Sequence, residues 1–127
     1  MATTAKEMVA KAKEMVPPIS PKDARTMIGN PDVLLVDVRD PSEVEKTGKL
    51  KGAVNASRGM LEFRADPESP YHDANFSKDK SVILYCASGG RSALGGQALQ
   101  QLGYTKVHNL GAFKDATEAG LPIEPAI

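Results

Sequence analysis

The sequence predicts an α/β domain of three layers, with a central, mainly parallel sheet flanked by helices, and three observations predict it. Two apolar runs, Val33 to Val38 and Val82 to Tyr85, have the length of strands and are broken only by Asp37, as suits strands buried on both faces. Each run is followed by a helix start, at Pro41-Ser42-Glu43 and at Arg91, and strands alternating with helices close into a layered sheet. The chain has 127 residues, 41% hydrophobic and 25% charged, which is the size and make-up of one soluble domain with one core.

The elements follow in order. Met8, Val9, Ala12, Met15 and Val16 recur at helical spacing among Lys and Glu, so residues 4–15 read as an amphipathic helix stopped by Pro17 and Pro18. Residues 1–18 are therefore expected as an N-terminal helical extension, and residues 19–127 as the domain proper, with the extension packed on the domain, serving a dimer contact or frayed. Ser20 is placed to cap a helix with Pro21 at its first position and Gly29 at its stop. Asn30-Pro31-Asp32 is a turn into the first strand, and Pro41 begins a short helix after it. A turn then feeds a short strand around Val54, and Met60 to Phe63 make one or two helical turns. Asp66 to Asp79 has no apolar period and reads as a surface loop. After the second strand, Arg91 to Leu102 form a helix with Leu94, Ala98, Leu99 and Leu102 on one side, ended by Gly103. Lys106 to Leu110 give a further strand, Gly111 and Gly120 bracket a final helix, and LPIEPAI is a tail over the surface.

Charge and cysteine count narrow the function classes. Sixteen basic and sixteen acidic residues cancel, so no field draws the chain to nucleic acid or an anionic membrane. A single cysteine excludes an internal disulfide and a multi-thiolate zinc site. His72 and His108 share no metal-like spacing with other ligands, so neither a metal nor a cofactor is expected. The first sixteen residues interrupt every apolar pair with Lys or Glu, which leaves no secretory h-region and points to a cytoplasmic location.

The chemistry concentrates in VILYCASGGRSALGG, where a strand ends at Cys86, four residues follow, and Arg91 opens a helix. A loop at such a junction turns backbone N–H groups inward as an anion-binding nest, and the helix dipole adds positive potential there. Gly89 and Gly90 supply the φ freedom of a tight cradle formed by Ala87, Ser88, Gly89, Gly90, Arg91 and Ser92. A thiol of ordinary pKa about 8.5 is lowered in such a setting and becomes a nucleophile. The competing reading is that a cysteine after an apolar strand is a small buried hydrophobe. That reading leaves Gly-Gly-Arg-Ser without a purpose.

Four blocks in order, LLVDVRDPSEV, the stretch Gly48 to Asn55, CASGGRS and GYTKVHNLGAF with AGLP, resemble a single-domain rhodanese over about residues 19–123. The resemblance implies the rhodanese-like three-layer fold and a ping-pong reaction. Sulfur passes from a small donor such as thiosulfate to Cys86, and the persulfide delivers it to a thiophilic acceptor, a small molecule or a partner protein. It implies that Ala87 to Arg91 hold the persulfide or anion, with Arg91 as the basic closing residue, and that Asp37 and Arg39 brace the site. In place of the basic side chains that some thiosulfate-using members carry, this loop has Ala87 and Ser88.

Arg58 is a candidate to lean over the cradle and receive an anionic donor, although exposed arginines usually have no specific task. Glu43, Glu45 and Glu62 show no arrangement that requires proton transfer. Two other functions compete with sulfur transfer. A cysteine phosphatase also places a thiolate under a loop ending in Arg-Ser, but its loop is one residue longer than the four between Cys86 and Arg91. Its general acid would have to be Asp66 or Asp73. A non-catalytic binding module would typically lose the cysteine or the loop glycines, and both are present. The physiological donor, the acceptor and the oligomeric state are not encoded in these motifs.

Overall fold

The computed structural model describes residues 2–126. It builds helix α1 (Ala5–Met15), α2 (Pro21–Met27), strand β1 (Val33–Asp37), α3 (Pro41–Thr47), β2 (Lys49–Leu50) and β3 (Val54–Asn55). A 3-10 turn (Arg58–Met60) leads into α4 (Leu61–Ala65), then β4 (Ser81–Cys86), α5 (Gly90–Gln101), β5 (Val107–Ala112), α6 (Phe113–Glu118) and β6 (Ile123–Glu124). The main sheet has the order β3-β1-β4-β5, and every pair in it is parallel. The predicted three-layer α/β fold is the fold observed.

The sheet divides the core by the period of two along a strand. Val82, Leu84 and Cys86 face one side, with Leu34, Val36, Leu61 and Leu99 around them. Ile83 and Tyr85 face the other, with Ala24, Leu35, Leu110 and Ala116. This double burial is why β1 and β4 read as continuous apolar runs. It also sets Cys86 on the α5 side of the sheet, at the C-terminal end of its strand.

α1 starts from Thr4, whose hydroxyl accepts the Glu7 N–H while the Glu7 carboxylate accepts the Thr4 N–H, a full capping box. The helix packs on α5, with Ala12 and Val16 buried in the core. The chain leaving it bonds to β5, through Asn109 N–H to Pro17 O at 2.8 Å and Ile19 N–H to Asn109 O at 3.0 Å. The N-terminal extension thus shares the core of the residues that follow it.

Three features depart from the sequence reading. The buried side of α5 is Ser92, Ala93, Gly95, Gly96 and Leu99, whereas Leu94, Ala98 and Leu102 are only half-buried. α5 is wedged between the sheet, α1 and α4, and closeness selects small residues there. A Cβ on Gly95 would meet Leu61 Cδ2 at 2.8 Å, and one on Gly96 would meet Val16 Cγ1 at 2.8 Å. The C-terminal tail is also more than a surface cover, because β6 pairs antiparallel with β2 in a second small sheet. Lastly, β5 runs two residues past Leu110, because a bulge skips that residue and sets Gly111 (φ +93°) opposite Tyr85. The segment after α4 is irregular as expected, yet Phe76 anchors it in the core.

Candidate functional site

Cys86 ends β4 and is fully buried. The chain then turns through exposed Ala87 and Ser88 to Gly89, whose φ of +95° only glycine takes without strain, and enters α5 at Gly90. The close approach of Gly111 Cα, 3.4 Å from where a Gly89 Cβ would stand, adds to the demand for glycine. That turn brings the Gly89 N–H to 3.0 Å from the Cys86 Sγ, and the Ser92 hydroxyl lies 3.5 Å from the same sulfur.

Burial alone pushes the Cys86 thiol up. The Ser92 hydroxyl and the N–H groups of Ser92, Ser88 and Gly89 outweigh burial, and the net shift is downward from the ordinary value of 9.0. A cradle that favours negative charge on one sulfur favours it equally on a terminal persulfide sulfur or a small oxyanion.

Asn109 of β5 organises this cradle. Its Oδ1 accepts the Ser92 hydroxyl at 2.7 Å and the Gly111 N–H at 3.0 Å, and its Nδ2 donates to Gly89 O at 3.2 Å. One buried amide therefore fixes the loop, the helix start and the neighbouring strand. Sequence reasoning missed it, although a polar residue inside a strand run is an available signal.

Arg91 does not close over the sulfur freely. Its Nη1 and Nη2 donate to Glu43 Oε1 and Oε2 at 2.6 and 3.0 Å, a bidentate pair. Glu43 also accepts the Asp40 N–H at 3.1 Å as the third residue of α3, so it caps its own helix and holds Arg91 together. The Arg91 bond leads in pulling the Glu43 carboxyl down to about 2, against burial. No linear pattern announces a partner 48 positions away.

Asp37 and Arg39 form a buried pair, with Arg39 Nη2 at 2.7 Å from Asp37 Oδ2. The guanidinium further donates to Thr47 Oγ1 at 2.8 Å and Gly48 O at 2.9 Å, and it lies 4.2 Å from the Phe113 ring centroid. The pair joins β1, α3 and α6 at the rim of the site, with no hydrogen bond to the Cys86 loop among the described residues. Arg58 pairs with Glu62 at 2.7 Å, and its stem lies near Gly95 of α5. It makes no bond to the cradle among the described residues. Asp66 and Asp73 each accept an N–H of their own turn, from Glu68 at 3.0 Å and Asn75 at 2.8 Å. Among the described residues no cluster of His, Cys, Asp or Glu is arranged to hold a metal ion, and no helix is long and apolar enough to cross a membrane.

A family model for the Rhodanese-like domain matches residues 20–118. Among solved structures, a protein of unknown function from Rhodopseudomonas palustris, described as a possible tyrosine phosphatase, is 40% identical. The match covers 98% of this chain and 96% of that one, with a TM-score of 0.88. The polysulfide-sulfur transferase homodimer from Wolinella succinogenes is 34% identical over 94% of this chain and 86% of that one, with a TM-score of 0.74. The human single-domain sulfurtransferase TSTD1 is 27% identical over 81% and 96%, with a TM-score of 0.66.

Proposed function

The chain belongs to the Rhodanese-like domain family, and from that premise we propose that it is a sulfurtransferase carrying sulfane sulfur as a persulfide on Cys86. The observation that carries the reading is the Gly89 N–H at 3.0 Å from a sulfur whose thiol is shifted down despite full burial. With thiosulfate as donor, the Cys86 thiolate attacks the outer sulfur, the sulfur–sulfur bond of the donor breaks, and sulfite leaves with the electron pair. The loop N–H groups then hold the charge on the terminal sulfur until an acceptor nucleophile takes it and the thiolate returns. Because Sγ is enclosed, loading requires the loop around it to open towards the donor. The reaction needs no metal or organic cofactor, and the cytoplasm suits a thiol that has to stay reduced.

The description of the Rhodopseudomonas palustris relative favours a second reading, phosphatase chemistry on the same cysteine. Loop length and the engagement of Arg91 with Glu43 weigh against it. Four residues between Cys86 and Arg91 make a narrow cradle, and an arginine bonded through both Nη atoms is not free to clasp a phosphoryl group.

Thiocyanate and phosphate release, from thiosulfate with cyanide and from an aryl phosphate, separate the two for the wild type and Cys86→Ser. Thiocyanate formation that disappears in Cys86→Ser is expected. Phosphate release without thiocyanate would sink the sulfurtransferase reading.

A further inference from the structure

The placement of charge around the loop bears on which donor the site takes, an inference that rests on the sulfurtransferase reading above. Among the described residues the loop offers an anion backbone N–H groups and hydroxyls but no free positive charge, since Ala87 and Ser88 carry none and Arg91 is bonded to both oxygens of Glu43. Thiosulfate carries its sulfonate on the atom next to the transferred sulfur, so it brings that charge up against the Cys86 thiolate with the Glu43 carboxylate nearby. The available cations lie further out. A cavity of about 280 Å³ opens beside Ala87, between α3 and α6, and its walls include Glu43, Lys46, Phe113 and Lys114.

Lys46 and Lys114 are exposed, and neither side chain has a hydrogen bond or ion pair among the described residues. Arg39 also reaches this cavity but is held by Asp37, Thr47 and Gly48, and Glu43 is held by Arg91. The cavity therefore offers an aromatic wall and two unengaged ammonium groups, and it is bordered by Ala87, the residue that follows Cys86. Its volume falls just below the usual range for small-ligand pockets, about 300–1,000 Å³, which suits a small organic molecule.

We infer that the site takes low-molecular-weight organic persulfides bearing a carboxylate, with the carboxylate on Lys46 and Lys114, and that Glu43 sets specificity against the small dianion by holding Arg91. In the step, the Cys86 thiolate attacks the outer sulfur of R–S–S–H and that sulfur–sulfur bond breaks. R–S⁻ leaves with the electron pair, and Cys86 keeps the outer sulfur and its proton as Cys86–S–S–H. The sulfane sulfur carries its oxidation level across, so no external oxidant or reductant enters.

The test compares two matched donors, the persulfides of 3-mercaptopropionate and 2-mercaptoethanol, which differ in the carboxylate. Thiosulfate is run in parallel. Loading of Cys86 is followed by intact mass, and turnover by thiocyanate formed from cyanide, for the wild type, the double variant K46A/K114A and E43Q. Glutamine still accepts the Asp40 N–H, so E43Q keeps its helix cap.

The wild type is expected to use the carboxylate donor with about tenfold higher kcat/KM than the neutral one, the scale of two exposed charge pairs. That ratio falls to about one in K46A/K114A, and E43Q gains several-fold with thiosulfate. Equal kcat/KM for the two donors in the wild type, or a ratio that survives in K46A/K114A, overturns the inference while leaving persulfide chemistry standing. Failure of all three donors to load the wild type overturns both the inference and the reading beneath it.

Discussion

Removing the Ser92 hydroxyl tests how the cradle lowers the thiol. That hydroxyl has one proton and two claimants, Asn109 Oδ1 at 2.7 Å and Cys86 Sγ at 3.5 Å. While Cys86 is a thiol, the proton points to Asn109. On ionisation it rotates to the sulfur, and Asn109 Oδ1 keeps the Gly111 N–H at 3.0 Å, so no acceptor is stranded. A hydrogen bond to a charged group contributes about 1.5–3 kcal/mol, and the neutral bond given up to Asn109 about 0.5–1.5 kcal/mol. The long sulfur contact places the first figure at its lower end, leaving a net preference for thiolate of up to about 1 kcal/mol. Ser92→Ala therefore moves the Cys86 titration up. Thiolate on the acid side of the titration then falls by up to about fivefold. The assay is thiolate absorbance near the far ultraviolet against pH, with Cys86→Ala as the blank. With Cys86 the only cysteine, the difference belongs to one residue. A titration that stays in place or moves down in Ser92→Ala would refute the reasoning.

Other perturbations follow from the same geometry. Gly96→Ala puts a methyl 2.8 Å from Val16 Cγ1 and 3.2 Å from Val107 Cγ1. Overpacking of about 1–3 kcal/mol, less the roughly 1 kcal/mol that alanine gains in a helix, leaves a net loss in urea unfolding. Val16→Ala in that background should cost less than it does alone, and additive losses in a double-mutant cycle would show that the two residues do not press on each other. Arg39→Met strands the buried Asp37 carboxylate and is expected to lose about 3–5 kcal/mol of stability, whereas a surface pair would lose under about 1 kcal/mol. Glu43, with its carboxyl lowered from 4.5 to about 2, contributes stability that is complete above the unfolded-state value and lost as pH falls from about 4.5 towards 2. Urea midpoints should therefore drop less between pH 5 and pH 3 in Glu43→Gln than in the wild type, and equal drops would contradict the Arg91 pairing.

The strands, the helix order and the cradle were legible because each rests on local chemistry. Asp37 interrupts the first strand because its carboxylate meets Arg39 two residues on, and Gly89 sits where φ turns positive. What the sequence hid depends on contacts between distant elements. Leu94 and Leu102 give α5 an apolar stripe that suggests one buried side, but the presence of α1 and α4 moves the close contact to Gly95 and Gly96. Glu43 reads only as part of a helix start, and the fold alone carries it to Arg91. Asn109 looks like one polar residue in a strand until the loop, the helix start and the exit from α1 are seen to converge on it. The pairing of β6 with β2 is two residues long, too short for any periodic signal.

Intact mass of the protein after exposure to a sulfane donor, followed by cyanide, reads the central claim at the atom concerned. The account predicts one added sulfur on the wild type, its removal by cyanide with return of the free thiol, and no addition to Cys86→Ser. No added sulfur with thiosulfate or with either organic persulfide, or an addition that persists in Cys86→Ser, would contradict it.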